Sequence, residues 1–391
     1  MDTSSRRILP APIRGRGTAE NPPNRFERLA FVPDPGACGC GGCDTGLCDP
    51  GPRTVLLRDP SRTVIARNQS PDVGFDASIN PYRGCEHGCI YCYARPFHEY
   101  LGFSAGLDFE TKILVKERAP ELLRRELARP SWTPRVIALS GVTDPYQPAE
   151  RRLRITRRCL EVLAQFRNPV AIVTKNHLVT RDADLLGDLA RDRAAVVNVS
   201  VTTMNERLQR VMEPRTSIPA RRLAAIETLA EAGVPVRVMV APVIPGLNEH
   251  EIPAILEAAA RAGAVGATYI PLRLPHGVAD LFTNWLERHF PDRKEKVLNR
   301  IREMRGGKLN ESAFGARMRG EGIFARQIGA LFEVACRRAG LARELPALST
   351  AAFRRPDAGG QLGLFEEDGL PHATRRHGPE REEHAPPAVP R

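Results

Sequence analysis

Three cysteines pose the chemical question. Residues 85–92 read Cys85-Glu86-His87-Gly88-Cys89-Ile90-Tyr91-Cys92, a C-x3-C-x2-C spacing that lets one loop aim three sulfurs at a single point. Thiolates grouped in this way suit a soft metal or an iron–sulfur cluster. The number of ligands is informative: a cubane [4Fe–4S] cluster held by three thiolates keeps one iron open to a reacting molecule. Gly84 and Gly88 permit tight turns around such a group, and Tyr91 and Tyr93 set aromatic rings beside it. Two plainer arrangements use the same residues. A zinc knuckle needs a fourth ligand, which His87, Cys159 or Cys336 would have to supply; a disulfide pair would leave a spare thiol.

Such a loop needs rigid elements to hold it. Apolar runs of strand length recur at 77–80, 135–139, 170–173, 196–199, 236–240 and 267–270. Between them, helical spacing occupies 119–128, 153–166, 183–190, 220–231 and 249–260, the last opening on Asn248 and Glu251 at capping-box spacing. Six strands alternating with helices predict an α/β fold with a parallel sheet, and near-continuous apolar strands predict that both faces are covered. A partial (β/α)6 TIM-like barrel and a doubly wound open sheet share this local pattern.

The cysteine spacing, with an aromatic before the last cysteine, resembles the signature of the radical S-adenosylmethionine (SAM) superfamily. The resemblance favours the partial barrel and implies a [4Fe–4S] cluster on Cys85, Cys89 and Cys92, with SAM chelated to the open iron. It also implies reductive cleavage of SAM to a 5′-deoxyadenosyl radical that abstracts hydrogen from substrate, with Tyr91 and Tyr93 beside the reacting centre. In α/β barrels chemistry gathers at the C-terminal strand ends, and the residues there can be matched one by one. Ser140, Gly141, Thr143 and Asp144 follow the second strand and resemble the segment that contacts the SAM amino group, although Asp144 would equally cap a turn. Lys175 follows the third strand, where a cation suits the SAM carboxylate. Ser200 follows the fourth, within reach of the ribose or as a helix cap. Glu213 and Arg215 orient SAM or form a surface ion pair; 241–248 suits a wall for adenine; Arg273 and His276 are offered to substrate.

The order of these motifs looks most like the spore photoproduct lyase branch, which repairs a thymine dimer in DNA; the likeness covers about 75–275. There is one departure. The lyase carries a hydrogen-donating cysteine after its second full strand, whereas residues 137–148 contain none and Gly141 stands in its place. The expected function is therefore a radical SAM reaction on DNA or another nucleic acid. The alternatives are a radical SAM enzyme acting on a small molecule or protein, and a non-catalytic metal-binding module associated with DNA. A reductant such as flavodoxin or ferredoxin is the expected electron source.

The rest of the chain frames this centre. Residues 1–52 form a Pro-, Gly- and Arg-rich arm, expected to be disordered or loosely draped. It holds Cys38, Cys40, Cys43 and Cys48, which are either a zinc or auxiliary cluster site or untethered thiols. Residues 53–275 make the barrel, 276–350 a helical extension expected to close its open side, and 351–391 a disordered tail. Within the tail, Gln361-Leu362-Gly363-Leu364-Phe365 resembles the peptide by which bacterial proteins bind the sliding clamp, its Leu and Phe acting as anchors. Net charge is +11, but only six of the 57 basic residues are lysine, a skew a GC-rich genome produces without any polyanionic partner. Nothing reads as a secretory signal and no run of about 18 apolar residues occurs, so a cytoplasmic protein is expected. In that compartment nine cysteines point to metal or redox chemistry, not to disulfides.

Overall fold

Strands form where the apolar runs predict them. The computed structural model describes residues 10–26 and 53–356; Cys38, Cys40, Cys43, Cys48 and Gln361–Phe365 lie outside these. Ten strands occur among the described residues: β1 Val55–Arg58, β2 Ile65–Arg67, β3 Ala77–Ile79, β4 Tyr82–Arg83, β5 Lys112–Val115, β6 Ile137–Leu139, β7 Val170–Thr174, β8 Ala195–Ser200, β9 Val236–Val243 and β10 Gly266–Pro271. Seven build one sheet in the order β10-β9-β8-β7-β6-β3-β2. All pairings from β3 to β10 are parallel, and β2 runs antiparallel to β3.

The crossovers are α1 Ala119–Leu127, α2 Ile155–Phe166, α3 Ala183–Arg191, α4 Pro219–Glu231 and α5 Ile252–Arg261. Their apolar stripes, such as Leu122, Leu123 and Leu127 on α1, are buried against the sheet. The parallel strands lie side by side in chain order, with no reversal. A doubly wound sheet requires a switch point, so the architecture is the partial (β/α)6 TIM-like barrel. The capping box expected at 248–251 does not form. Asn248 Oδ1 accepts from the Ile244 amide (2.6 Å), and Glu251 accepts from Thr203 Oγ1 (2.6 Å) and the Met204 amide (2.7 Å). Both side chains bridge to the neighbouring strand exit in place of the helix start.

The second sheet, β1-β5-β4, supports the cysteine loop, which leaves β4 at Gly84 and is followed by β5 at Lys112. Helices α6 Val278–His289 and α7 Pro291–Met304 cover this loop, burying Ile90, Tyr91, Met212, Leu272, Phe282 and Trp285 in a second core. Helix α8, Gly322–Ala339, packs on α5 and stacks Phe332 on Tyr269 of the β10 edge (centroids 4.6 Å). It thus extends the outer layer, whereas the gap between the β2 and β10 edges is bridged by Arg317, paired with Asp72 at 2.5 Å. The described residues up to Arg355 form one compact unit. Among the described residues no helix is long and apolar enough to cross a membrane.

Residues 10–26, which composition describes as draped, are anchored to the cysteine loop. Gly17 donates its amide to Glu110 Oε2 (2.9 Å), and a Cβ at Gly17 would lie 1.8 Å from the Gly88 carbonyl oxygen, so only glycine fits. Glu110 meets Arg95 Nη2 at 2.5 Å, and both side chains are fully buried. Replacing Glu110 by alanine leaves the Arg95 charge buried without a counter-charge. Glu110→Ala is therefore expected to lower the unfolding free energy by about 3–5 kcal/mol, read from urea denaturation of the reduced apoprotein. A loss under about 1 kcal/mol, the level of a surface pair, would show that the pair does not anchor the loop.

Candidate active site

The cysteine loop leaves the C-terminal side of β3. Cys85 and Cys89 are buried and Cys92 is half-buried. Backbone bonds set its turns: the Cys85 amide donates to Phe109 O (2.9 Å) and the Cys92 amide to Cys89 O (3.2 Å). Gly88 has φ +66°, and a Cβ there would lie 2.6 Å from Glu110 Oε2, which explains the glycine. Two side chains hold the loop from outside. Arg95 donates to the carbonyls of Cys89 (3.0 Å) and Gly88 (3.3 Å). Gln147 accepts from the Glu86 amide (2.9 Å) and donates to Gly84 O (3.1 Å).

Burial pushes all three thiols above their ordinary range, with Asp144 adding to the effect at Cys85 and Glu213 at Cys89. They keep their protons until a metal displaces them. Among the described residues no three His, Cys, Asp or Glu side chains gather closely enough for a single ion. His87, the nearest fourth ligand for a zinc knuckle, is engaged on both ring nitrogens. Nδ1 lies 3.4 Å from Asp144 Oδ2 and Nε2 3.2 Å from Asn176 Nδ2. Cys159 and Cys336 are packed in the main core. Neither His87 nor these two cysteines is placed to join the three loop thiols as a fourth ligand.

Opposite the loop, the exits of β7, β8 and β9 converge on Lys175. Its ammonium donates to Ser200 Oγ (2.5 Å) and Ala241 O (2.9 Å) and stands 3.7 Å from Glu213 Oε1. Glu213 is fully buried; it accepts from Tyr91 Oη and from Thr202 Oγ1 (2.7 Å) and pairs with Arg222. Burial alone would raise its carboxyl, but the Arg222 guanidinium and the Lys175 ammonium, with the Tyr91 and Thr202 hydrogen bonds, hold it at about 2. Tyr91 is consequently sealed behind the loop.

Tyr93 faces the other way. It is 40% exposed at the barrel mouth, donates its hydroxyl to Gly141 O (3.0 Å), and carries the Arg273 guanidinium 4.7 Å above its ring. At the β6 exit Ser140 has φ +105°, and among the described residues its hydroxyl has no protein partner. A Cβ on Gly141 would come within 2.9 Å of Ser78 Oγ, so the position is fitted to glycine. Thr143 donates to Tyr82 O (2.8 Å), beneath the exit. Asp144 accepts from Tyr146 N, Thr174 Oγ1 and Lys175 N, all at 2.8 Å, which makes it a tie between strand ends. Burial would raise its carboxyl; His87 and these donors lower it. Arg215 lies outside the cradle, on the outer face of the loop against Glu86 (3.1 Å).

Of the residues singled out in sequence, the structure gathers Cys85, Cys89, Cys92, Tyr91, Lys175 and Ser200 around one interior point, and Tyr93, Ser140 and Gly141 at the mouth. Thr143, Asp144 and Arg215 support the loop and the strand ends. Arg95, Glu110, Gln147 and Arg222 escaped the sequence reading, since nothing in their local pattern marks them; their partners lie far along the chain or inside it.

Because the Glu213 carboxyl sits below its ordinary 4.5, its contribution to stability is complete above that pH and is lost as pH falls toward about 2. Its full value is about 3 kcal/mol. Urea denaturation of the apoprotein at a series of pH values should show Glu213→Gln less stable than wild type at pH 7, with the difference narrowing through this window. A constant difference would deny the carboxylate its charge.

Comparison with known proteins agrees with this geometry. Residues 79–259 match the family model of the radical SAM superfamily. An uncharacterised protein of Mycobacterium tuberculosis is 39% identical over 244 residues, spanning 61% of this chain and 71% of that one. The radical SAM Nα-GlyT isomerase of Pseudomonas phage M6 is 27% identical over 173 residues, 44% of this chain and 34% of that one. Among solved structures, a spore photoproduct lyase variant with bound AdoMet and dinucleoside spore photoproduct superposes with TM-score 0.53 and 17% identity, covering 74% of this chain and 81% of that one. A barrel carrying the three-cysteine loop at the exit of its first parallel strand, matched along these residues, places the chain in a family: it belongs to the radical SAM superfamily, with a fold like that of spore photoproduct lyase.

Proposed function

We propose that this radical SAM enzyme uses a [4Fe–4S] cluster and S-adenosylmethionine to abstract hydrogen from a nucleic acid. The observation that carries the reading is the meeting of the three loop thiols, two of them buried, with the Lys175 cradle at the strand exits. Cys85, Cys89 and Cys92 would hold the cluster, while Ser140, Gly141, Lys175 and Ser200 would line the SAM site. Together the two cofactors supply a 5′-deoxyadenosyl radical when bound and reduced.

The chain's own residues do the rest. Glu213, held ionised, stands 3.7 Å from the Lys175 Nζ and fixes Tyr91 behind the loop. Lys175 bonds protein oxygens that a ligand carboxylate can replace. The second core under α6 and α7 excludes water from one side of the loop. Tyr93 presents a phenol on the substrate side. Nucleic acid as substrate draws on the clamp-binding resemblance of Gln361–Phe365 and on the dinucleoside held by the lyase of similar fold. With glycine where the lyase has its cysteine, the reaction proposed is distinct from photoproduct reversal. A flavodoxin- or ferredoxin-type reductant and a cytoplasmic setting complete the proposal.

Anaerobic reconstitution tests it: the wild type should take up about four irons and release 5′-deoxyadenosine on reduction with SAM. Cys85→Ala should lose both; unchanged iron and SAM cleavage would sink the assignment. For the partner, deletion of Gln361–Phe365 should abolish capture of the protein by immobilised sliding clamp, and undiminished capture would dispose of the motif.

A further inference from the structure

The mouth of the barrel carries a cation without an anion. Arg273 follows the last parallel strand, and its guanidinium lies over Tyr93, the residue after Cys92. Its one hydrogen bond among the described residues goes to the thioether sulfur of Met318 (3.1 Å), a weak acceptor. Among the described residues no carboxylate lies within ion-pair distance of it. Two acids of this rim, Asp72 near Arg273 and Glu311 near Arg305, are otherwise engaged. Asp72 binds Arg317 (2.5 Å) and the Gly315 amide (2.7 Å), and Glu311 accepts from the Ser312 and Ala313 amides beside Arg305. Arg305 itself is buried on the carbonyls of Leu272, Ala316 and Arg317.

Three guanidiniums are thus drawn together at one rim. Burial and the neighbouring Arg317 both disfavour the Arg273 charge. Leaving a half-buried arginine with most of its N–H groups unanswered is costly unless a ligand answers them. Two flat rings flank the place: Tyr93, and Phe314, which is 60% exposed and stacked with Arg317 at 4.6 Å. Guanidiniums beside exposed aromatic faces suit a phosphate with a base attached.

We propose that Arg273, with Arg317 beside it, receives a backbone phosphate of the nucleic-acid substrate and so aims the adjoining nucleotide at Tyr93 and the cysteine loop. The inference rests on the nucleic-acid reading and names the contact through which that substrate would enter. A carboxylate-rich peptide is the competing ligand, but it would leave the aromatic faces unused.

Fluorescence anisotropy with a labelled 12-nucleotide DNA strand, titrated with the full-length reconstituted protein at several salt concentrations, tests the contact. Arg273→Gln should weaken binding about tenfold and lower the log–log salt slope by about one, without lowering the thermal midpoint. Arg273→Lys, which keeps the charge and most of the packing, should restore the slope. Arg261→Gln, which removes an exposed charge from α5, should change binding less than twofold. If Arg273→Gln binds DNA with wild-type affinity and slope, the phosphate site is wrong while the nucleic-acid reading survives. If the wild type ignores DNA but binds a poly-glutamate peptide through Arg273, both the phosphate assignment and the nucleic-acid reading fail. A lowered midpoint for both Arg273 variants, with an unchanged salt slope, would make Arg273 a structural residue and overturn the inference.

Discussion

Arg95 and Glu110 are taken out of water completely, and a charged pair so placed is tolerated only when protein groups satisfy the rest of its hydrogen-bonding capacity. That requirement organises the cysteine loop. Arg95 answers it with the carbonyls of Gly88 and Cys89 on one side and those of Ala105 and Gly106 on the other. Glu110 answers it with the Gly17 amide from the N-terminal segment. One ion pair therefore joins three stretches that no regular element connects. Burial raises the Glu110 carboxyl even against its arginine. That direction measures how strongly desolvation opposes the arrangement, and hence how much the surrounding bonds contribute.

The same solution recurs across the barrel. Strand exits end the hydrogen-bonded ladder and present backbone groups that packing alone cannot satisfy. At β7, β8 and β9 the ends are knitted by Lys175, Glu213 and Arg222, with the Ala241 carbonyl accepting from Lys175, Ser200 and Thr202. At β6 they are knitted by Asp144 and by Asn80, whose Oδ1 accepts from the Val142 and Thr143 amides. Here the ionic terms overcome desolvation and the carboxylates of Glu213 and Asp144 are lowered, the reverse of Glu110. Glu110 too has two arginines near it, Arg95 and Arg16; Glu213 adds hydrogen bonds from Tyr91 and Thr202 to the charges of Arg222 and Lys175, and Asp144 is bonded by His87 and by the Tyr146 and Lys175 amides.

These networks explain which parts of the molecule can be read from sequence. The six parallel strands are legible because each is an apolar run whose neighbours in the sheet are also its neighbours in the chain. The cysteine loop is legible because its ligands fall within eight residues, 85–92. Glu110 is illegible: it sits on a short helical turn, and its role depends on Arg95 and on Gly17, 93 residues away. Gln147 reads as an ordinary polar residue after a turn, yet it is fully buried against Glu86 and Gly84. The capping-box pattern at Asn248 and Glu251 misleads for a related reason. The helix start could use those side chains, but the exit of β8 offers buried partners at Thr202, Thr203 and Met204, and a buried unpaired group costs more than an exposed one. The stripe on α8 shows only that one face is apolar; it says nothing of whether that face meets the barrel gap or α5.

Tyr91 and Tyr93 bring the two kinds of information together. Both flank Cys92, and nothing in sequence distinguishes their roles. In the fold, the turn through residues 90–92 sends Tyr91 toward Glu213 and the second core, and Tyr93 toward the mouth. The inner ring is thereby held by the buried Glu213 network. The outer ring is held by the Gly141 carbonyl. A larger residue at 141 would press on Ser78 and disturb the backbone to which the Tyr93 hydroxyl is bonded. Gly141 thus fixes the Tyr93 phenol at the β6 exit through its backbone.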